Sequence, residues 1–327
     1  MTFLFTNLII AVLALIIERI IGYPNWLYTI IRHPIVWMGA LISLCEKYLN
    51  NPAWSPDIRK LTGASSLLIL LFIVALISSV LAGMMREWQF GPIFEAMLAS
   101  TMLAQKSLGS YVKAVAKALE TSVEDGRQAV AHIVGRDPTE MDESEVSKAA
   151  IESLAENTSD GVVAPLFWLA LLGLPGIALY KAINTADSMI GHKSDRYKAY
   201  GSSSAQLDDA ANYLPARLTG LIFVIAAYIT PKCAARGAFT AMSRDAHRHV
   251  SPNAGWPEAA MAGALKVTLG GERSYQGQAV RLATMGDGRR ELASNDIHRA
   301  LKLYGRALSV TLVLLVLYAL AFGSVFL

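Results

Sequence analysis

Residues Leu61 to Met85 read LTGASSLLILLFIVALISSVLAGMM, an unbroken run without Asp, Glu, Lys or Arg. A hydrocarbon core about 30 Å thick needs roughly 20 apolar residues in a helix, so this stretch predicts a membrane span. Working outward, Met1–Ile17, Gly161–Tyr180 and Ala307–Leu327 repeat the pattern. Ala210–Thr230 is a weaker candidate, because Pro215 and Arg217 confine its apolar run to Leu218–Thr230. The expectation is an all-α, polytopic helical membrane protein with about 4–5 membrane segments and large polar helical loops, forming one integral-membrane domain over residues 1–327.

Composition agrees. Of 327 residues, 54% are hydrophobic and only 17% charged, against about 25% charged in a soluble domain. Met1–Ile17 has no basic region before it and no small-residue cleavage site after it, so it reads as a retained helix. The net charge of +3 is small and both signs are interspersed, which gives no footprint for nucleic acid. Cys45 and Cys233 stand far apart, without the spacing of a disulfide framework or a zinc site.

Between the apolar runs lie polar blocks rich in helix formers, Glu95–Ala131, Ser144–Asn157 and Lys232–Arg306, and no strand-rich region competes with them. Leu98, Met102, Leu108, Val112, Val115 and Leu119 recur at helical spacing, and Asp142 to Glu145 supply an acidic helix start. Inside Gly161–Tyr180, Pro165, Gly173, Pro175 and Gly176 can interrupt a helix. Irregular backbone at membrane depth is tolerated where it is buried or lines a cavity. The segment is therefore expected to break there and to form one wall of a polar cavity, its two flanks sharing one site; full crossing and re-entry both remain open.

Polar residues concentrate in five strings. Gly135-Arg136-Asp137-Pro138 is a turn presenting a cation and a carboxylate. In the second string, Glu152, Glu156 and Asp160 fall four apart and share a helix face with Asn157 beside them. Like charges at that spacing repel, so the stripe asks for a cation. The third runs Tyr180-Lys181-Ala-Ile-Asn184-Thr-Ala-Asp187-Ser188 and on to Gly191-His192-Lys193. Its oxygen-bearing groups suit Mg²⁺ and phosphate better than a soft metal. The fourth, Asp208-Asp209-Ala-Ala-Asn212-Tyr-Leu-Pro-Ala-Arg217, runs straight into an apolar stretch. The fifth holds Arg244, His247, His249, Ser251 and Asn253, and its two histidines do not complete a zinc pattern. No Walker-type loop and no Gly-x-Ser-x-Gly elbow occurs, and Gly270-Gly271 is too little for a phosphate loop.

These strings, in this order and spacing, with His33-Pro34 near the start, resemble the CobD/CbiB family of adenosylcobinamide-phosphate synthases along nearly the whole chain. The resemblance implies a multi-pass protein of the bacterial inner membrane, surrounded by lipid. It implies an ATP-dependent, Mg²⁺-requiring amide ligation of (R)-1-amino-2-propanol or its O-phosphate to a propionate carboxylate of adenosylcobyric acid, and leaves open a homo-oligomer or association with other cobalamin enzymes. Tyr23 stands where the family typically has Asp, and Glu18 where Asp is common.

The residue chemistry is compatible with that reaction. A carboxylate is a poor electrophile and must be activated, most simply as an acyl phosphate, which calls for Mg²⁺, cations and a base. Under the resemblance, Asp160, Asp187, Asp208 and Asp209 are metal candidates. Glu156, Asp160, Lys181 and Asp187 are the catalytic candidates, with Glu156 as base. Arg136, Lys193 and Arg244, with Lys181, would meet phosphate or carboxylate. Asn157, Asn184, Asn212 and Asn253 can bond substrate amides through both donor and acceptor. Ser188, Arg217, His249 and Ser251 complete the substrate-binding set. Two other classes compete. A carrier for a polar or corrinoid substrate would also use an interrupted segment, but no internal repeat is evident and much of the chain lies outside apolar runs. A non-catalytic membrane regulator related to the family would lack the motif strings, which are intact here.

Overall fold

The computed structural model describes residues 2–135, 137–275 and 278–326. The protein is all-α apart from one hairpin: α1 Thr2–Ile20, α2 Asn25–Ile31, α3 Pro34–Leu49, α4 Pro56–Arg86, α5 Gly91–Ser100, α6 Gln105–Leu119, α7 Val123–Val130, α8 Glu143–Thr158, a π-helical turn Ser159–Val163, α9 Ala164–Leu172, α10 Leu174–Ile190, α11 Ser202–Tyr228, α12 Ala235–Asp245, a 3₁₀ turn Ala246–Arg248, α13 Gly255–Leu265, strands β1 Leu269–Tyr275 and β2 Gln278–Met285, and α14 Ser294–Phe326. The sequence reads as one domain; packing groups it into two compact units. The first comprises Met1–Ala104, Ala164–Asn212 and Leu315–Leu327, the second Gln105–Val163 and Tyr213–Leu314.

Among the described residues, five stretches are long and apolar enough to cross a membrane: Phe3–Ile20, Tyr28–Leu49, Pro56–Arg86, Ser202–Tyr228 and Ser294–Gly323. The number matches the expectation but the membership does not. Gly161–Tyr180 is not among them. It is split into the π turn, the short helix α9 and the start of α10, and Val162, Ala164, Leu166, Leu169 and Ile177 are buried core residues. The break falls at Gly173, whose φ of 70° is open to glycine at no steric cost, and Pro175 follows in the first turn of α10. Where the sequence predicts the weaker candidate Ala210–Thr230 with its apolar run confined to Leu218–Thr230, Ser202–Tyr228 is one continuous helix that accommodates Pro215; Thr219 Oγ1 donates to the Pro215 carbonyl at 2.8 Å. Tyr28–Leu49 escapes a reading by charge-free runs because Arg32, His33, Glu46 and Lys47 punctuate it. With so many spans the protein is expected to remain in the membrane pellet through high-salt and alkaline washing. Release by salt alone would refute this.

In the first unit, α10 packs against α3, α4, α5 and α9, and Ile42, Leu67, Leu70, Ala182, Ala186, Ile190 and Tyr200 share one core cluster. The Tyr200 hydroxyl donates to Ser66 Oγ at 2.7 Å, satisfying two polar groups inside that core. In the second unit, α6 buries Leu108, Val112, Val115 and Leu119 and packs against α7 and α8. The expected single amphipathic run from Leu98 is cut by the turn between Ser100 and Gln105. α8 opens on a capping box, Asp142 accepting from Glu145 N at 2.8 Å and Glu145 Oε2 from Asp142 N at 3.0 Å, as its acidic start foretells.

Among the described residues, the block Lys232–Arg306 departs from all-helix in one hairpin. β1 and β2 pair antiparallel from Leu269↔Met285 to Tyr275↔Gln278, with an irregularity between Gly270 and Glu272. Gly270 and Gly271 have φ of 70° and 95°, so the pair that is too short for a phosphate loop supplies this bulge.

Candidate functional site

The third and fourth strings meet within the first unit, on α10 and the start of α11. Lys181 is buried and its Nζ donates to Asn184 Oδ1 at 3.0 Å. Asn184 Nδ2 points to Asp208 Oδ1 at 3.4 Å, Asn212 Nδ2 donates to Asp208 Oδ2 at 3.0 Å, and the Tyr180 hydroxyl donates to Asn212 Oδ1 at 2.9 Å. Two contacts within helices, Lys181–Asn184 and Asp208–Asn212, and two between α10 and α11 thus join into one continuous hydrogen-bonded chain. Asp208 and Asn212 are buried, so this chain is rigid and each amide has its orientation set by its neighbours.

Asp187 lies one turn beyond Asn184 and is half-buried. Burial, and then the charge of Asp209, hold its carboxyl above the usual range, while His192 pulls in the opposite direction. A Cβ on Gly191 would come within 1.9 Å of Asp187 Oδ1, so the carboxylate occupies space that only glycine leaves there. Lys193 and Asp209 are exposed. Ser188 is exposed but donates to the Asn184 carbonyl at 2.8 Å.

Among the described residues no three or more His, Cys, Asp or Glu are gathered to hold a metal ion. The donor set still fits Mg²⁺, which is usually held by one or two carboxylates with waters and substrate phosphates. Asp187 and Asp208 would be those carboxylates, with the exposed Asp209 next to Asp208 in the chain. Asp160 belongs to the second unit.

Near the start of the chain, His33 caps α3, its Nδ1 accepting from Ile35 N at 3.2 Å. It belongs to the His33-Pro34 segment that the resemblance includes. Tyr23, in place of the family's usual Asp, stacks its ring 4.7 Å from that of His33 and donates its hydroxyl to the Arg32 carbonyl at 2.6 Å. This turn is held by an aromatic contact and a neutral hydrogen bond instead of an acid.

The second unit gathers the remaining strings. Asp245, buried, accepts from Arg244 Nε and Nη2 at 2.8 and 2.7 Å, and from Gly286 N at 2.9 Å. Burial pushes its carboxyl up, but these donors and the Arg248 charge outweigh burial and leave it below the usual range. Arg244 also reaches Asp287 at 2.7 Å and is thereby fixed between two carboxylates. His249 Nδ1 accepts from Ser251 N at 3.0 Å and its Nε2 faces the buried Glu258 at 3.7 Å. Ser251 Oγ accepts from Asn253 N and Ala254 N, both at 3.2 Å, shaping the entry to α13. Arg217 is sandwiched, its Cζ 3.4 Å from the Tyr213 ring centroid and 4.4 Å from that of Trp256.

On α8, the carboxylate stripe is divided. Glu152 is buried and accepts from Gly270 N at 2.7 Å, so a backbone N–H supplies the compensation that the stripe calls for. Glu156 and Asn157 are exposed, with Asn157 Nδ2 donating to the Ser153 carbonyl at 2.9 Å. Asp160 sits on the π turn, where the wider helix departs from the four-residue register. π turns of this kind are frequent at functional sites. Arg136 lies outside the described residues. Asp245, Glu258, Tyr213, Trp256 and Tyr180 are partners that sequence reading missed. Asp245 and Tyr213 adjoin the candidates Arg244 and Asn212, and Tyr180 adjoins Lys181, so neighbourhood in the strings was the signal available for these three.

The fold and these polar groups define a polytopic helical membrane protein with a rigid acid–amide–ammonium site on α10 and α11. Residues 11–304 match the family described as CobD/Cbib protein. Over 313 residues the chain is 45% identical to a protein of Brucella anthropi named cobalamin biosynthesis protein CobD, covering 93% of this chain and 94% of that relative. Relatives of the same name from a Sinorhizobium species and Rhodobacter capsulatus are each 46% identical, over 93% of this chain and 96% and 95% of their own length. No solved structure matches. The chain belongs to the CobD/CbiB family.

Proposed function

We propose that this protein acts in cobalamin biosynthesis at the bacterial inner membrane, joining (R)-1-amino-2-propanol or its O-phosphate to a propionate of adenosylcobyric acid in an ATP-dependent amide ligation. The observation that carries this reading is the hydrogen-bonded run Lys181–Asn184–Asp208–Asn212–Tyr180, with Asp187 one turn further on. It offers an ammonium, two side-chain amides and acidic oxygens in one place, which are the groups that a carboxylate, a phosphate and a cation need.

Amide formation requires that a carboxylate oxygen become a leaving group and that the amine lose a proton. Lys181, steered by Asn184, is a cation for the propionate or a phosphate oxygen. Mg²⁺, held by Asp187 and Asp208, would supply neutralisation of phosphate charge. A base must also take the proton released by the amine; Glu156, the sequence candidate for that role, is an exposed carboxylate at the end of α8 in the second unit. The decisive experiment incubates purified protein with adenosylcobyric acid, aminopropanol phosphate, ATP and Mg²⁺. Amide product that requires ATP is expected; absence of product in correctly inserted protein refutes the assignment.

A further inference from the structure

The first unit contains a partly buried ion pair that the proposed chemistry does not use. Glu95 on α5 is fully buried, and Arg86, at the end of the long span α4, grips it in bidentate fashion, Nε to Oε2 at 2.9 Å and Nη2 to Oε1 at 2.8 Å. Arg86 Nη2 also donates to Oδ1 of Asn7 at 2.6 Å, and Asn7, on α1, is fully buried too. The guanidinium lies 4.9 Å from the Phe3 ring centroid. Three helices thus converge on one charge.

What they enclose is the turn between α9 and α10. Leu174 N, the first amide of α10, donates to Glu95 Oε1 at 3.3 Å. A Cβ on Gly173 would lie 2.9 Å from both Arg86 Nη2 and Asn7 Oδ1, so the turn's backbone rests directly on the cluster. Stability alone does not account for such an arrangement, since well-packed apolar residues replace buried ion pairs at no loss, and often with a gain. Ionisable groups within membrane segments are by default functional hypotheses.

We propose that Asn7, Arg86 and Glu95 form a positioning cluster that fixes the first turn of α10 and, through that rigid helix, sets where Lys181, Asn184 and Asp187 stand. This rests on the reading of those three residues as the reaction site. Asp187 is thirteen residues beyond Leu174, a lever of about 20 Å. A tilt of about 5° at the turn moves the carboxylate by about 2 Å, and a misplacement of about 1 Å can cost about 100-fold in rate.

The test replaces the pair by apolar residues of similar volume, Arg86→Met with Glu95→Leu, alongside the single variants Arg86→Lys and Glu95→Gln. Two readouts are taken on purified protein: kcat and KM for amide formation, and hydrogen exchange of the α10 amides from Gly176 to Asn184. The apolar pair is expected to insert with wild-type thermal stability, to exchange those amides at least about tenfold faster, and to lose at least about tenfold in kcat with little change in KM. Arg86→Lys is expected to recover part of both. An apolar pair with wild-type exchange and wild-type kcat overturns the proposal. Should that double variant fail to insert, Glu95→Gln decides by the same two measurements. If the wild-type protein forms no amide, the reaction reading fails, and the exchange data still decide whether the cluster fixes α10.

Discussion

Asp208→Asn is expected to leave the protein fully inserted and to reduce amide formation by about 100-fold or more, the scale on which removal of a single preorganised charge-stabilising group acts. The substitution is nearly isosteric, so packing around this buried position is kept. What changes is charge and hydrogen-bond sense. Asp208 accepts from Asn184 with one oxygen and from Asn212 with the other. Asparagine offers one acceptor oxygen, so one of the two amides loses its partner, at about 1–3 kcal/mol for a buried donor. Product formation by purified variant, measured beside its recovery in the membrane fraction, checks both halves. Full activity would remove Asp208 from the proposed site.

Asp187→Asn is expected to abolish activity while making the protein more stable at neutral pH. Burial and Asp209 hold the Asp187 carboxyl above its ordinary range, with His192 opposing. A carboxyl whose folded-state pKa exceeds its unfolded value contributes stability below the unfolded value and loses it as pH rises through the folded value. At neutral pH the wild-type protein therefore carries a destabilised charge, which the asparagine removes. The same raised value makes protons compete with Mg²⁺, so the Mg²⁺ concentration needed for half-maximal rate should rise as pH falls towards it. Thermal midpoints of the two proteins at neutral and mildly acidic pH, with Mg²⁺ titrations of the wild type, test this. A variant that is active, or less stable at neutral pH than at acidic pH relative to wild type, contradicts the assignment.

The spans of α1, α4 and α14 were legible because lipid imposes one rule on them: long runs without charge. Where protein instead of lipid surrounds an apolar run, that rule misleads. Gly161–Tyr180 is apolar because α9 and α10 are packed among other helices, and Tyr28–Leu49 is punctuated by charge because Glu46 pairs with Arg196 at 2.8 Å. The local pairings of the site followed from helical spacing, as Lys181–Asn184 and Asp208–Asn212 illustrate. Links between distant strings, such as Tyr180 to Asn212 or Glu152 to Gly270, depend on tertiary packing and leave no periodic trace in the sequence. The hairpin went unread because its glycines weaken any strand pattern while serving the bulge that shapes it.

The helix α8 carries a further implication for how the protein is made. Its residues Ala149, Ala150, Ile151 and Leu154 are almost completely shielded from solvent in the finished protein, yet Ser144 at its start is tied to Arg290 and Leu292, 146 and 148 positions later. A ribosome adding about 5–20 residues per second takes on the order of ten seconds to cover that distance. For that interval the nascent chain holds an amphipathic helix, its Ala149, Ala150, Ile151 and Leu154 face without the segment that later ties its start, the kind of transient exposure that favours aggregation. Yield in a heterologous host should therefore depend on insertase and chaperone capacity during synthesis more than on the equilibrium stability of the purified protein.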